Sequence, residues 1–111
     1  MTDNLLILST CGTEADAQRI ATRLVELRLA ACVNIVPGAT SVYRWRGAIE
    51  KASEFMLVIK SRRDLVSKIE EEFRMIHPYE VPELIAVPVA GGSKAYLAWI
   101  GNELEGEAGP T

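Results

Sequence analysis

Two long extended tracts joined by a short turn constrain the fold of this chain more than any other feature. The tracts cover residues 32–45 and 53–60, with Arg-Gly-Ala at 46–48 between them, so they predict one very long β-hairpin. A strand over residues 32–46 would reach about 45–50 Å, whereas a compact domain of this length is only about 34 Å across. We therefore expect the hairpin to overhang its own domain.

The tip of the predicted hairpin is aromatic and basic. Tyr43 and Trp45 lie on one face of the strand, next to Arg44 and Arg46. Exposed strand edges and aromatic surface are normally covered in a soluble protein. The two rings could stack on a ligand, but contact with a partner subunit is the favoured interpretation. Tyr43 and Trp45 are therefore predicted interface residues, and a second copy of the chain is the most economical cover.

Composition favours a single soluble domain. Of the 111 residues 49% are hydrophobic, and no linker, repeat or low-complexity stretch interrupts them, so one domain over residues 1–111 is predicted. Its core should span about 4–104, with residues 105–111 as a flexible tail. The net charge is −3 and basic residues are scattered, which disfavours nucleic acid and membrane surfaces as partners. The absence of a leader pattern or long apolar run, together with only two cysteines, favours a cytoplasmic protein.

Apolar periodicity predicts strands and helices on both sides of the hairpin. Residues 5–8 form a continuous apolar run typical of a buried strand, and Thr13 can cap the helix that follows. Ser61 or Asp64 can cap a second helix, which should end before Pro78.

The last predicted strand and helix complete the order. Residues 84–89 form an edge strand, since Pro88 lacks an N–H donor, and residues 91–93 open a third, short helix. The order βαββαβ plus a C-terminal helix predicts an α+β, ferredoxin-like fold, in which an antiparallel sheet carries two helices on one face. The strands at 5–8 and 84–87 have apolar residues at successive positions and thus on both faces, so the open face of the sheet should be apolar too. The third helix is too short to cover it, which is a second reason to expect self-association.

The predicted topology brings distant parts of the chain to one end of the sheet. The end of the first strand, with Cys11, should meet residues 77–83, which carry His77 and Glu83. Cys32 starts the second strand at the opposite end, beyond the reach of a disulfide with Cys11. A charged residue such as Glu54 near a strand end is expected to be solvated or to form an interface ion pair.

Three stretches resemble the CutA divalent-cation tolerance proteins, and the matches spread from about residue 5 to about residue 100. They are AACVNIVPGATSVYRWRGAIE at 30–50, HPYEVPE at 77–83 and YLAWI at 96–100. The resemblance implies a ferredoxin-like subunit in a tight homotrimer, related in architecture to the PII signalling proteins. It also implies a reported association with copper and other divalent metals, and no established catalytic activity. The family's two cysteines match Cys11 and Cys32, and its histidine before the Pro-Tyr pair matches His77.

A metal site is the first functional hypothesis. A thiolate at Cys11, the imidazole of His77 and a carboxylate at Glu80 or Glu83 would suit copper or zinc. We select Cys11, His77 and Glu83 as predicted metal ligands. The alternatives are that His77 only caps the second helix and that Cys11 is a small core residue, although a partly exposed Cys11 would have a lowered pKa.

The second hypothesis is a PII-like trimeric sensor that binds a small anionic metabolite in clefts between subunits. The backbone N–H groups of residues 10–13, at the start of the first helix, would receive the anion. An enzyme on this fold is the third reading, and it is disfavoured because no nucleophile, base and orienting residue come together in the sequence. We therefore expect a protein that requires no cofactor and binds copper or another divalent metal.

Overall fold

The computed structural model describes residues 3–105, and in this part of the chain four strands and three α-helices form one layered unit. In chain order they are β1 (Asn4–Cys11), α1 (Glu14–Glu26), β2 (Cys32–Trp45), β3 (Ala48–Arg62), α2 (Val66–Ile76), β4 (Ile85–Pro88) and α3 (Lys94–Glu105). The strand order is β2-β3-β1-β4, and every neighbouring pair is antiparallel. The predicted ferredoxin-like α+β fold is confirmed.

The long β2–β3 hairpin is confirmed and is longer than predicted in its second strand. Trp45 pairs with Ala48, so the connection is the two-residue turn Arg46-Gly47. Both residues have positive φ, 52° and 85°, which is the geometry of a type I′ turn and matches the right-handed twist of the strands. Pairing with β2 extends β3 through residues 48–52, and the described chain measures 47 × 29 × 22 Å.

A β-bulge interrupts the pairing of β2 at the Pro37-Gly38 pair. Val36 pairs with Met56 and Ala39 with Glu54, so two residues of β2 stand opposite one residue of β3. Gly38 has a φ of 82°, which residues with a Cβ rarely adopt.

The core lies between one face of the sheet and helices α1 and α2. Thr13 caps α1 as predicted, because its Oγ1 accepts a hydrogen bond of 3.1 Å from the Asp16 backbone N–H. The apolar stripe of each helix then packs on the buried side chains of β1 and β3; the largest buried members are Ile7, Ile20, Leu24, Leu57, Ile59, Ile69 and Phe73.

The predicted caps of the second helix are wrong. Ser61 lies inside β3, where its buried Oγ donates a 2.7 Å hydrogen bond to the Leu29 carbonyl oxygen. Asp64 lies in a 3₁₀ turn over Arg63–Leu65 and accepts a hydrogen bond from Arg62, so α2 begins without a side-chain cap. Neither residue caps α2, because strand pairing holds Ser61 in β3 and the 3₁₀ turn holds Asp64 before the helix.

The second face of the sheet is apolar and only partly covered. Leu6, Leu8, Met56 and Val58 are partly exposed there, and all of β4 is exposed. Helix α3 lies beside one end of the sheet, where Lys60 of β3 approaches the Tyr96 ring and where Ile100 and Leu104 are buried.

Helix α3 ends at Glu105, whose carboxylate accepts a hydrogen bond of 3.4 Å from the Arg62 guanidinium. The rest of the predicted tail, 106–111, lies outside the described residues.

Candidate functional site

Cys11 and His77 come together at one end of the sheet, as predicted. Cys11 ends β1, and His77 follows α2 and lies 3.0 Å, through its Nε2, from the carbonyl oxygen of Thr10. Cys32 lies at the opposite end. Cys11 pairs with Phe55 and Cys32 with Lys60, two positions of β3 that are about 16 Å apart. Both cysteines are free.

Both ring nitrogens of His77 are hydrogen-bonded within the chain. Nδ1 accepts a 3.1 Å hydrogen bond from the Tyr79 backbone N–H, so the proton sits on Nε2 and is donated to Thr10. The ring is buried between Phe73 and Tyr79, with centroid distances of 5.3 and 5.0 Å. This burial lowers the pKa of His77, which keeps the imidazole neutral near pH 7.

His77 ends α2 through its backbone and not through its ring. Its N–H donates to the Phe73 carbonyl oxygen at 2.9 Å. The carbonyl oxygen of Ile76 instead accepts a 2.6 Å bond from the Arg19 guanidinium, so a cation from α1 satisfies the end of α2. The imidazole ring is therefore available to hydrogen-bond Thr10, and this bond joins the end of α2 to β1.

Cys11 is completely buried, as the alternative reading expected. Its Sγ lies 3.8 Å from the Thr13 carbonyl oxygen. Burial, with a smaller contribution from the charges of Asp16 and Glu54, raises the pKa of the Cys11 thiol. The lowered pKa expected for a partly exposed thiol beside a helix N-terminus does not apply, because desolvation dominates here.

Glu54 is buried, which corrects its expected place in solvent. Only 6% of the residue is exposed, and the Tyr79 hydroxyl donates a short hydrogen bond to its Oε2. Burial and this bond together raise the pKa of Tyr79 above its ordinary value. Gly12 leaves room for the phenol, since a Cβ there would lie 3.3 Å from the Tyr79 hydroxyl oxygen. The sequence carried one signal for this pair, an acidic residue adjoining the apolar run of β3.

A groove of 640 Å³ lies between the hairpin and the loop that follows α2. Three aromatic rings and three carboxylates line it, from Tyr43, Trp45, Tyr79, Glu54, Glu80 and Glu83, and the remaining lining residues are neutral. Among residues 3–105, no Lys or Arg belongs to the lining. Arg46 approaches Glu80 at 3.3 Å in an exposed ion pair and offsets that carboxylate, so the negative character of the groove comes from Glu54 and Glu83.

The predicted metal ligands occupy this end of the chain without forming a finished metal centre. Glu83 lines the groove, whereas Cys11 and His77 are buried and do not belong to its lining. Within residues 3–105, no group of three or more His, Cys, Asp or Glu side chains is arranged to hold a metal ion. Tyr43 and Trp45, the predicted interface residues, are 44% and 40% exposed on the opposite wall.

These features define a class of small α+β proteins with a ferredoxin-like sheet and a hairpin that overhangs the core. A profile of the CutA1 divalent ion tolerance proteins matches residues 5–103 of this chain. The chain belongs to the CutA1 family.

Individual relatives agree with this assignment. A divalent-cation tolerance protein CutA from Thermus thermophilus is 46% identical over 95 residues, which cover 86% of this chain and 92% of the relative. Protein CutA from Mus musculus is 50% identical over 91 residues, 82% of this chain, which spans about half of the mouse protein, 51%. The crystal structure of CutA from Xylella fastidiosa superposes with a TM-score of 0.89 at 45% identity, covering 93% of this chain and 99% of that one.

Relatives are found in more than one compartment. A plant relative from Arabidopsis thaliana, 41% identical over 89% of this chain and 54% of its own length, is named chloroplastic. A structure from Archaeoglobus fulgidus, with a TM-score of 0.88 at 38% identity over 92% of this chain and 99% of that one, is described as periplasmic. None of the helices described in residues 3–105 is long and apolar enough to cross a membrane.

Proposed function

We propose that this protein is a homotrimeric metal-binding protein of divalent-cation tolerance, that copper is its principal ion, and that it binds without catalysing a reaction. One observation carries the proposal: the groove is lined by three carboxylates and no Lys or Arg, at the end of the sheet that holds Cys11 and His77. Such a site attracts cations. The divalent ion tolerance family to which the chain belongs supports this direction.

The expected metal ligands are Cys11, His77 and Glu83. In His77 the unprotonated nitrogen is Nδ1, so a metal ion there would replace the Tyr79 N–H as its partner. Cys11 would have to lose its proton although burial raises the pKa of its thiol. Both changes cost free energy, so we expect weak binding that releases protons and declines as pH falls.

Self-association is the second part of the proposal. The open face of the sheet, the exposed strand β4 and the hairpin residues Tyr43 and Trp45 offer more apolar surface than a monomer of this size usually leaves in water. The number of subunits, three, follows the resemblance to the family.

We also propose a cytoplasmic location, since both cysteines are free as in a reducing compartment. Cell fractionation tests this location.

The charge of the groove argues against the anionic-metabolite sensor. The start of α1 does offer backbone N–H groups, but its first turn already carries Glu14 and Asp16. Glu54, Glu80 and Glu83 would also repel an anion in the groove. The anionic-metabolite alternative is therefore disfavoured.

Calorimetric titration with copper tests the metal site. Cys11→Ser, His77→Ala and Glu83→Gln should each weaken copper binding, whereas Cys32→Ser, at the opposite end of the sheet, should bind like the parent protein. A chelator should remove the metal without unfolding the chain, because the core and interfaces hold the fold. If Cys11→Ser and His77→Ala both bind copper like the parent protein, this end of the sheet is not the site. Light scattering that finds a monomer at micromolar concentration would exclude the homotrimer.

A further inference from the structure

The Glu54 carboxylate has an unused hydrogen-bonding atom inside the groove wall. Glu54 is 94% buried, and its Oε2 is bonded by the Tyr79 hydroxyl. The second oxygen, Oε1, accepts no hydrogen bond from any residue within 3–105 and is not among their fully buried atoms that lack a partner, so it is open to the groove. A carboxylate with little access to water is stabilised by a partner that donates hydrogen bonds and carries positive charge, and Oε1 offers such a partner a free acceptor.

The remaining walls of the groove suit an organic cation better than a bare metal ion. Tyr43 and Trp45 project from one face of the hairpin, since they alternate along β2. Glu54 shares that face, because it pairs directly with Ala39. Tyr79 from the loop after α2 completes an aromatic surround. Aromatic faces attract ammonium groups through the ring quadrupole, which adds to the attraction of the carboxylates.

The volume of the groove also fits a small molecule. At 640 Å³ it lies within the range of small-molecule sites, about 300–1,000 Å³, and such sites combine apolar walls with a few placed polar groups.

We propose that this groove binds a small organic cation with a primary ammonium group. The ammonium donates hydrogen bonds to Oε1 of Glu54 and interacts with Tyr43 and with the face of Trp45 that the Arg46 guanidinium, 5.4 Å from the ring centroid, leaves open. Glu83 supplies a second negative charge. The alkyl part of the ligand lies along the apolar wall. This proposal shares Glu83 with the proposed metal site but needs neither Cys11 nor His77. Tyr43 and Trp45 are also proposed interface residues. In a groove at a subunit boundary, the part of each ring that does not contact the ligand can contact the partner subunit.

Fluorescence of Trp45 provides a direct test on the full chain. The protein has two tryptophans, so Trp99→Phe leaves Trp45 as the only one and keeps an aromatic ring beside Tyr96. In this background, titration with n-butylammonium in the presence of a chelator should change the emission saturably. 1-Butanol, which lacks the charge, should cause no saturable change.

Two carboxamide variants locate the charge. Glu54→Gln should weaken n-butylammonium binding by about tenfold to a hundredfold, the usual effect of losing a charged hydrogen-bonding partner. Glu83→Gln should weaken it less, because Glu83 is more exposed than Glu54. The matched control is Glu26→Gln on α1, which should leave binding unchanged. Thermal melts show whether each variant folds. If Glu54→Gln does not fold, the binding measured with Glu83→Gln decides the test.

Three results would overturn the proposal. The first is equal binding of 1-butanol and n-butylammonium, and the second is unchanged binding in both Glu54→Gln and Glu83→Gln. The third is a Trp45 that acrylamide cannot reach and n-butylammonium does not affect, which would mean that a second copy of the chain fills the groove. Copper titrations on Cys11→Ser and His77→Ala report separately on the metal site, so failure of one proposal is distinguishable from failure of the other.

Discussion

The imidazole Nε2 of His77 lies 3.0 Å from the carbonyl oxygen of Thr10, and this bond joins the residue that ends α2 to the end of β1. The second ring nitrogen accepts from the Tyr79 N–H, so the same ring also orients the loop that carries Tyr79 over Glu54. His77 thus connects the core to the groove. Its position explains why a residue expected to bind metal is also part of the structural framework.

The neutral state of His77 makes stability depend on pH. Burial lowers the pKa of the folded protein's His77 below its ordinary value of 6.5, so the unfolded chain binds this proton more readily. The contribution is complete above pH 6.5 and is lost as pH falls below that value. Urea unfolding between about pH 7.5 and about pH 5 should show this loss. His77→Gln should flatten the slope, since His77 is the only histidine of the chain; equal slopes in both proteins would contradict the prediction.

Gly47 is required by the turn of the hairpin. Its φ of 85° is unfavourable for any residue with a Cβ, so Gly47→Ala should destabilise the protein by about 1 kcal/mol. Gly91→Ala is the matched control, because Gly91 has no positive φ and a Cβ there meets nothing within 4 Å. Denaturant midpoints compare the two variants, and equal midpoints would show that the turn tolerates a Cβ.

Trp45 should anchor the assembly. Its side chain is 40% exposed on the subunit surface, and Trp45→Ala should weaken the association by about 2 kcal/mol per subunit contact. Met75→Ala, at an exposed position on α2, serves as the control. Sedimentation over a dilution series measures the dissociation of each variant. If Trp45→Ala dissociates like the parent protein, the ring lies outside the interface.

Folding and association should be coupled. If the assembly covers β4 and the open sheet face, the subunits should unfold and dissociate in one step. The melting temperature should then rise with protein concentration when unfolding is reversible. Calorimetry at several concentrations measures this shift. A midpoint that does not change with concentration would mean that each subunit folds alone.

Much of the secondary structure could be predicted because it depends on local patterns. The Thr13 cap, the apolar stripes of α1 and α2 and the turn at Arg46-Gly47 are all encoded within a few residues. The prediction that Ser61 or Asp64 caps the second helix was wrong because pairing with β1 extended β3 through Arg62. Non-local hydrogen bonds decided that boundary.

The sequence by itself determined the order of the elements, the overhanging hairpin and the meeting of Cys11 with residues 77–83, since apolar periodicity and chain direction leave few other arrangements. Only the tertiary structure decided the environment of each side chain. It buried Glu54 under the Tyr79 hydroxyl and placed both nitrogens of His77 in hydrogen bonds. These outcomes depend on contacts between residues far apart in the chain. Burial lowers the pKa of His77 by removing the imidazole from water, and no local sequence pattern encodes that burial.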